Sequence, residues 1–139
     1  RITVKDFMGQ LNKYLVGVDK IWCQGPQFDM VILGMGDDGH TASIFPHEIN
    51  LWLSPDNCEM AIHPESGQRR VSLTGRVINN AKTVAFLVTG DSKAEKVRII
   101  IDREQGYLKY PASHVSPKTK DLIWFLDAAA AEQITSNQS

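Results

Sequence analysis

A chain of 139 residues is of single-domain size and can bury one sizeable core. Its 15 basic and 16 acidic residues leave a formal net charge of -1, which provides no overall field for nucleic acid or an anionic membrane, although a local basic pocket for a small anion stays open. Cys23 and Cys58 form no Cys-x-x-Cys pair and support neither a disulfide framework nor a zinc site, no apolar run approaches the roughly 18 to 20 residues of a membrane span, and no secretory signal is visible, so a reducing cytoplasm fits best.

The chain opens at Arg1 rather than Met, which reads as a fragment or a trimmed start. Val4, Phe7, Met8, Leu11, Leu15 and Val18 recur at three- and four-residue spacing and predict one buried helix face. Thr3 can cap that helix, with Asp6 three residues on. After the Gly25-Pro26 break, Phe28 to Leu33 is a nearly continuous apolar run, as expected of a strand covered on both faces. Thr41 to Phe45 could begin a helix that Pro46 would end or kink early, and His47 to Asn57 reads as a loop with room for one turn of helix.

Cys58 to Ile62 and Arg70 to Thr74 are short strand candidates on either side of the turn-rich Pro64-Glu65-Ser66-Gly67. Thr83 to Thr89 is a fuller strand, closed by Gly90 and Asp91; Asp91 or Ser92 can cap a helix running to about Arg103 with Ala94, Val97, Ile100 and Ile101 inward. Pro111 to Lys118 is a loop with two prolines, Leu122 to Leu126 a last strand, and Asp127 the cap of an alanine-rich helix before a polar tail. Strands alternating with helices predict an α/β layer fold with a largely parallel sheet.

Gly34, Gly36 and Gly39 satisfy G-x-G-x-x-G directly after a strand, the form of a dinucleotide-binding turn. Asp37 and Asp38 argue against it, because a pyrophosphate there would meet two carboxylates instead of bare backbone N–H groups. The glycines more plausibly let the backbone turn sharply at the C-terminal end of the strand, where open α/β sheets place ligands, and present Asp38 and His40 to a crevice. A carboxylate two residues before a histidine can orient the imidazole for general base work. The pair also fits a plainer reading, with Asp38 accepting loop N–H bonds and His40 an ordinary part-buried histidine.

The segment from Phe28 through Gly34-Met35-Gly36-Asp37-Asp38-Gly39-His40 to Thr41-Ala42-Ser43-Ile44-Phe45-Pro46 resembles the signature of 6-phosphogluconolactonases. Arg70-Val71-Ser72-Leu73-Thr74 is similar to that family's second motif, and Val88-Thr89-Gly90-Asp91-Ser92-Lys93-Ala94 to its third. Trp124-Phe125-Leu126-Asp127 and the following alanines resemble its C-terminal end, so the likeness runs in order from about Phe28 to Ile134.

The resemblance implies a three-layer α/β/α sandwich like that of the deaminase, isomerase and CoA-transferase-like group. It also implies hydrolysis of 6-phospho-D-glucono-1,5-lactone to 6-phosphogluconate in the oxidative pentose phosphate pathway. His40 would activate water against the lactone carbonyl, Asp38 would orient it, and Arg70 with Lys93 would hold the phosphate, with Gly36 and Gly39 also against the substrate. On residue type alone an exposed strand cation for Arg70 and a solvated helix side chain for Lys93 are the commoner readings, and the motif match reverses that weighting. No metal or organic cofactor is implied, and the partner is a small sugar-phosphate lactone. His47, His63 and His114 read as surface or loop histidines without a paired acid, and Arg69 and Arg76 as surface charges.

The glucosamine-6-phosphate deaminases are a sister group with a similar loop, but they carry an Ile-Ala-Phe-Asn-Glu-Pro type of sequence after the histidine. Here Phe45 stands where their relay Glu would be, and an aromatic ring cannot shuttle protons. The resemblance also implies an N-terminal portion with a Gly-Gly-Ser-type phosphate loop; this chain contains no Gly-Gly pair. It is therefore expected to be the C-terminal portion of a lactonase domain, with a disordered tail over 135–139. An uncovered sheet edge and apolar face would favour self-association. The rival expectation from another class is a non-catalytic sugar-phosphate-binding or assembly module.

Overall fold

A computed structural model describes residues 3–14 and 26–135, with backbone only for 11–14. Helix α1 spans Val4–Tyr14, and its cap is the one expected. Asp6 N–H donates to Thr3 Oγ1 at 3.1 Å while the Asp6 carboxylate accepts from the Thr3 N–H and hydroxyl at 3.1 and 2.6 Å. This reciprocal arrangement satisfies first-turn donors that would otherwise be orphaned. Leu15, Val18, Cys23 and Gly25 lie outside the described residues, as do 136–139 of the tail.

Three strands, β1 (Met30–Leu33), β4 (Thr83–Val88) and β5 (Leu122–Leu126), form a parallel sheet in the order β1-β4-β5. The α/β class with a parallel sheet is thus present. Val31 pairs with Val84 and Leu33 with Phe86, while Val84, Phe86 and Val88 pair with Leu122, Trp124 and Leu126. Paired residues share a face and successive residues alternate, so these eight side chains line one side. Against them pack Ile78, Val97, Ile100 and Ala130, with Trp124 stacked on Phe86 at 4.0 Å. Such a pair contributes about 0.5–1.5 kcal/mol beyond the area it buries.

The other face carries Met30, Ile32, Leu87, Ile123 and Phe125, all exposed. The expectation that the first strand is covered on both sides therefore fails: Met30 is 49% and Ile32 60% exposed. Helices α3 (Ala94–Ile101) and α4 (Ala128–Ala131), which follow β4 and β5, both return to the same face. No described element covers the opposite one.

Between the adjacent strands β1 and β4 the chain makes a long excursion that builds the site. It runs through a 3-10 helix at Pro46–Leu53, an antiparallel hairpin of β2 (Cys58–Ile62) and β3 (Arg69–Leu73), and the short helix α2 (Gly75–Ile78). Pro46 opens the 3-10 helix rather than ending an earlier one, because a proline at the first position loses no intrahelical bond. Thr41 to Ile44 is a tight turn, not a helix start.

One of the two expected caps also differs. Neither Asp91 nor Ser92 caps α3; a 3-10 turn at Asp91–Lys93 intervenes, and Ser92 donates elsewhere. Asp127 does cap α4 through Ala130 N–H at 2.8 Å, and also accepts from Gly90 N–H at 3.1 Å. That second bond ties the end of β4 to the start of the last helix. Among the described residues no helix is long and apolar enough to cross a membrane.

Candidate active site

The glycine-rich loop leaves the C-terminal end of β1 and closes on itself through two backbone bonds, Gly36 N–H to His40 O and Gly39 N–H to Gly36 O, both 2.9 Å. Gly39 has φ +80, a region that disfavours other residues, and lies against the buried Tyr110 ring. Ala112 N–H donates to Gly39 O at 3.0 Å, so the segment after α3 braces the loop from beneath. Beyond the histidine, Thr41 hydroxyl donates to Gly34 O at 2.8 Å and Ser43 N–H to Ser72 Oγ at 3.0 Å. The second bond fixes the loop to β3.

Asp38 Oδ1 accepts both the His40 N–H at 3.0 Å and the His40 ring Nδ1 at 2.6 Å. One oxygen thus performs both roles left open by the sequence: it closes a local turn and orients the imidazole. Burial alone would push the Asp38 carboxyl up, but the hydrogen bonds from the His40 backbone and ring and the charge of that ring outweigh it, and its pKa ends below the ordinary value. Asp38 is therefore an anion at neutral pH. With Nδ1 held, Nε2 is the nitrogen left for chemistry. The His40 side chain is 26% exposed and lines a pocket of about 370 Å³ with Leu33, Gly36 and Ala42.

Arg70 and Lys93 reach this centre by different routes. Arg70 lies on β3 with its guanidinium 5.9 Å from the centroid of Phe45, whose ring packs 4.4 Å from that of His40. Its Nε donates to Gln68 Oε1 at 3.0 Å, a bond that does not use the two terminal nitrogens of the guanidinium. Lys93 Nζ instead pairs with Asp37 Oδ1 at 2.8 Å, and Ser92 hydroxyl donates to the same oxygen at 3.2 Å. The Lys93 bond, with its charge, holds the Asp37 carboxyl below its usual value. Lys93 thus has a carboxylate partner beside the catalytic candidate rather than standing as a solvated cation.

Phe45, Asp37 and Ser72 carry geometry that the sequence reading did not assign to them. Phe45 is 1% exposed and is touched by the rings of His40, His47 and His63, the last at 5.1 Å. Nothing in a lone phenylalanine signals such a hub. His47 was expected to lack an acidic partner, but its Nε2 is 2.9 Å from Glu48 Oε1, a pairing between sequence neighbours that helical spacing does not anticipate. His114 is bonded through Nε2 to Leu108 O at 2.6 Å, with its ring 6.3 Å from that of Trp52. Arg76 donates to Pro55 O, and Arg69 is exposed.

Known proteins share sequence and fold with most of this chain. The family model described as glucosamine-6-phosphate isomerases/6-phosphogluconolactonase matches residues 4–124. A 6-phosphogluconolactonase of Haemophilus influenzae is 46% identical over 106 residues, covering 74% of this chain and 44% of that protein. A Homo sapiens 6-phosphogluconolactonase is 44% identical over 112 residues, covering 79% of this chain and 43% of its own length. A crystal structure of devB protein superposes with a TM-score of 0.82 at 36% identity, over 97% of this chain and 56% of that one. The 6-phosphogluconolactonase structure from Trypanosoma brucei gives a TM-score of 0.69 at 26% identity, over 97% and 56% of the two chains. The chain spans about half the length of the curated relatives it matches. It belongs to the glucosamine-6-phosphate isomerase/6-phosphogluconolactonase family.

Proposed function

We propose that this chain carries the base and the phosphate-binding cations of a site that hydrolyses 6-phospho-D-glucono-1,5-lactone to 6-phosphogluconate. The observation that carries the reading is the 2.6 Å contact between Asp38 Oδ1 and Nδ1 of His40, a residue that lines a pocket. His40 Nε2 takes a proton from water as the water oxygen bonds to the lactone carbonyl carbon. Asp38 stabilises the imidazolium that forms. The tetrahedral oxyanion then collapses, the bond from that carbon to the ring oxygen breaks, and the proton passes from the imidazolium to the departing alkoxide. The step as written needs no metal or organic cofactor.

Arg70 and Lys93 would take the phosphate, the first as a planar fork and the second as a point charge released from Asp37. Gly36 and Gly39 would border the substrate, their missing side chains leaving room for the His40 ring and the Tyr110 ring respectively. A cytoplasmic site of action accompanies this reading, supported by two cysteines without a disulfide-type spacing. Measuring lactone hydrolysis and 6-phosphogluconate binding on one preparation tests it. Hydrolysis with product binding is expected. Binding without hydrolysis would leave a sugar-phosphate-binding module, and the absence of both would remove the reading.

A further inference from the structure

The β2–β3 hairpin places more than Arg70 beside Phe45. Ala61 pairs with Arg70, and His63 N–H donates to Gln68 O at 2.9 Å, so the antiparallel ladder continues one step past the strands. Side chains two residues apart share a face; His63, Gln68 and Arg70 therefore lie on one side of the hairpin and Arg69 on the other. Gln68 holds Arg70 through Nε. The His63 ring meets the Phe45 ring edge-on at 5.1 Å, and the Arg70 guanidinium sits 5.9 Å from the same centroid.

The protonation pattern of His63 is set by its own turn. Its Nδ1 accepts the backbone N–H groups of Glu65 and Ser66, each at 3.2 Å. A proton on Nδ1 would cost both bonds, so the neutral ring carries its hydrogen on Nε2. The other two histidines around Phe45 are committed, His40 through Nδ1 to Asp38 and His47 through Nε2 to Glu48. Among the described residues, the His63 Nε2–H is the histidine donor of this cluster that has no hydrogen-bond acceptor.

We propose that His63 is a further substrate-binding residue, donating Nε2–H to the phosphate that Arg70 grips, with Gln68 positioning the Arg70 fork. The proposal rests on the lactonase reading above, in which Arg70 is a phosphate ligand. This donor is held in place by the two backbone bonds to the other nitrogen of its ring. It adds a directed hydrogen bond to the guanidinium's charge. The phosphate hangs on its own carbon arm, so this clamp serves the end of the substrate remote from the carbonyl that His40 addresses.

The test is calorimetric titration of 6-phosphogluconate into the parent chain and its variants, with the His63 tautomer read by long-range proton–nitrogen NMR. His63→Asn retains an acceptor for the turn and removes the Nε2–H; it should weaken binding about tenfold. His63→Gln, which can return an N–H near that position, should stay within about threefold of the parent. Arg70→Ala should lose about a hundredfold, and Gln68→Ala an intermediate amount. Parental affinity in His63→Asn alongside a large loss in Arg70→Ala would overturn the role of His63 and leave the phosphate site standing. An Nδ1–H resonance on His63 would overturn it as well. Parental affinity in both Arg70→Ala and Lys93→Ala, or no binding by the parent, would remove the phosphate reading and this proposal together.

Discussion

Gly36 and His40 share a space that admits no side chain between them: a Cβ on Gly36 would collide with Nδ1 and Cε1 of the His40 ring and lie 2.8 Å from Asp38 Oδ1. The close approach lets the loop fold back so that one carboxylate oxygen serves both the His40 N–H and the ring. Gly36→Ala should therefore displace the imidazole from Asp38. Small misplacements of a catalytic group can cost about 10²-fold in rate, and that loss is expected in lactone hydrolysis. A thermal melt within a few degrees of the parent would show that the fold survives.

The low pKa of Asp38 fixes the sign of an acid effect. A carboxyl held below its ordinary value contributes stability that is present above the unfolded value, 3.8, and disappears as pH falls through the folded one. Asp38→Asn should accordingly flatten the loss of stability below pH 3.8 in urea titrations at stepped pH. It should also lower lactone hydrolysis at neutral pH, by about 10²- to 10⁴-fold, because the imidazolium loses its stabilising charge. An unchanged acid limb would show that the contact has no energetic weight.

Asp37 and Lys93 form a different kind of pair. The Asp37 side chain is 71% exposed, so solvent screens the attraction and the expected contribution is about 0–1 kcal/mol. Asp37→Asn should leave the urea midpoint almost unchanged. A fall in stability above about 2 kcal/mol would mean that the pair fastens the His40 loop to the β4–α3 turn rather than simply parking a cation beside it.

Cys58 is 2% exposed, and burial, followed by the charge of Glu59, pushes its thiol up to about 11. Alkylation requires the thiolate. Native protein treated with iodoacetamide at pH 8 should leave Cys58 unmodified by peptide mass mapping, and prior unfolding in urea should expose it to complete labelling.

Much of this architecture is written in local signals. The β2 and β5 ranges and the Thr3 and Asp127 caps follow from short apolar runs and from oxygen-bearing residues set before helices. The loop glycines and the Asp38–His40 spacing announced the site, because an Asx turn and an imidazole contact both arise within three residues. Relationships that depend on distant packing were not legible. Phe45 joins His40 to Arg70 only because the hairpin folds back over it, and Lys93 meets Asp37 only because β1 and β4 are neighbours in the sheet. Helix α2 begins with a glycine and is four residues long, too short for any periodicity. Whether the apolar residues of β1 are covered on one face or two is decided by where later helices land, and no strand composition encodes that.

The most direct measurement is the rate of 6-phospho-D-glucono-1,5-lactone hydrolysis by His40→Ala beside its parent, at neutral pH and saturating substrate. If His40 Nε2 accepts the water proton, the variant should fall by about 10²- to 10⁴-fold while still binding 6-phosphogluconate. A variant that hydrolyses the lactone at the parental rate would contradict the assignment of His40 as the base.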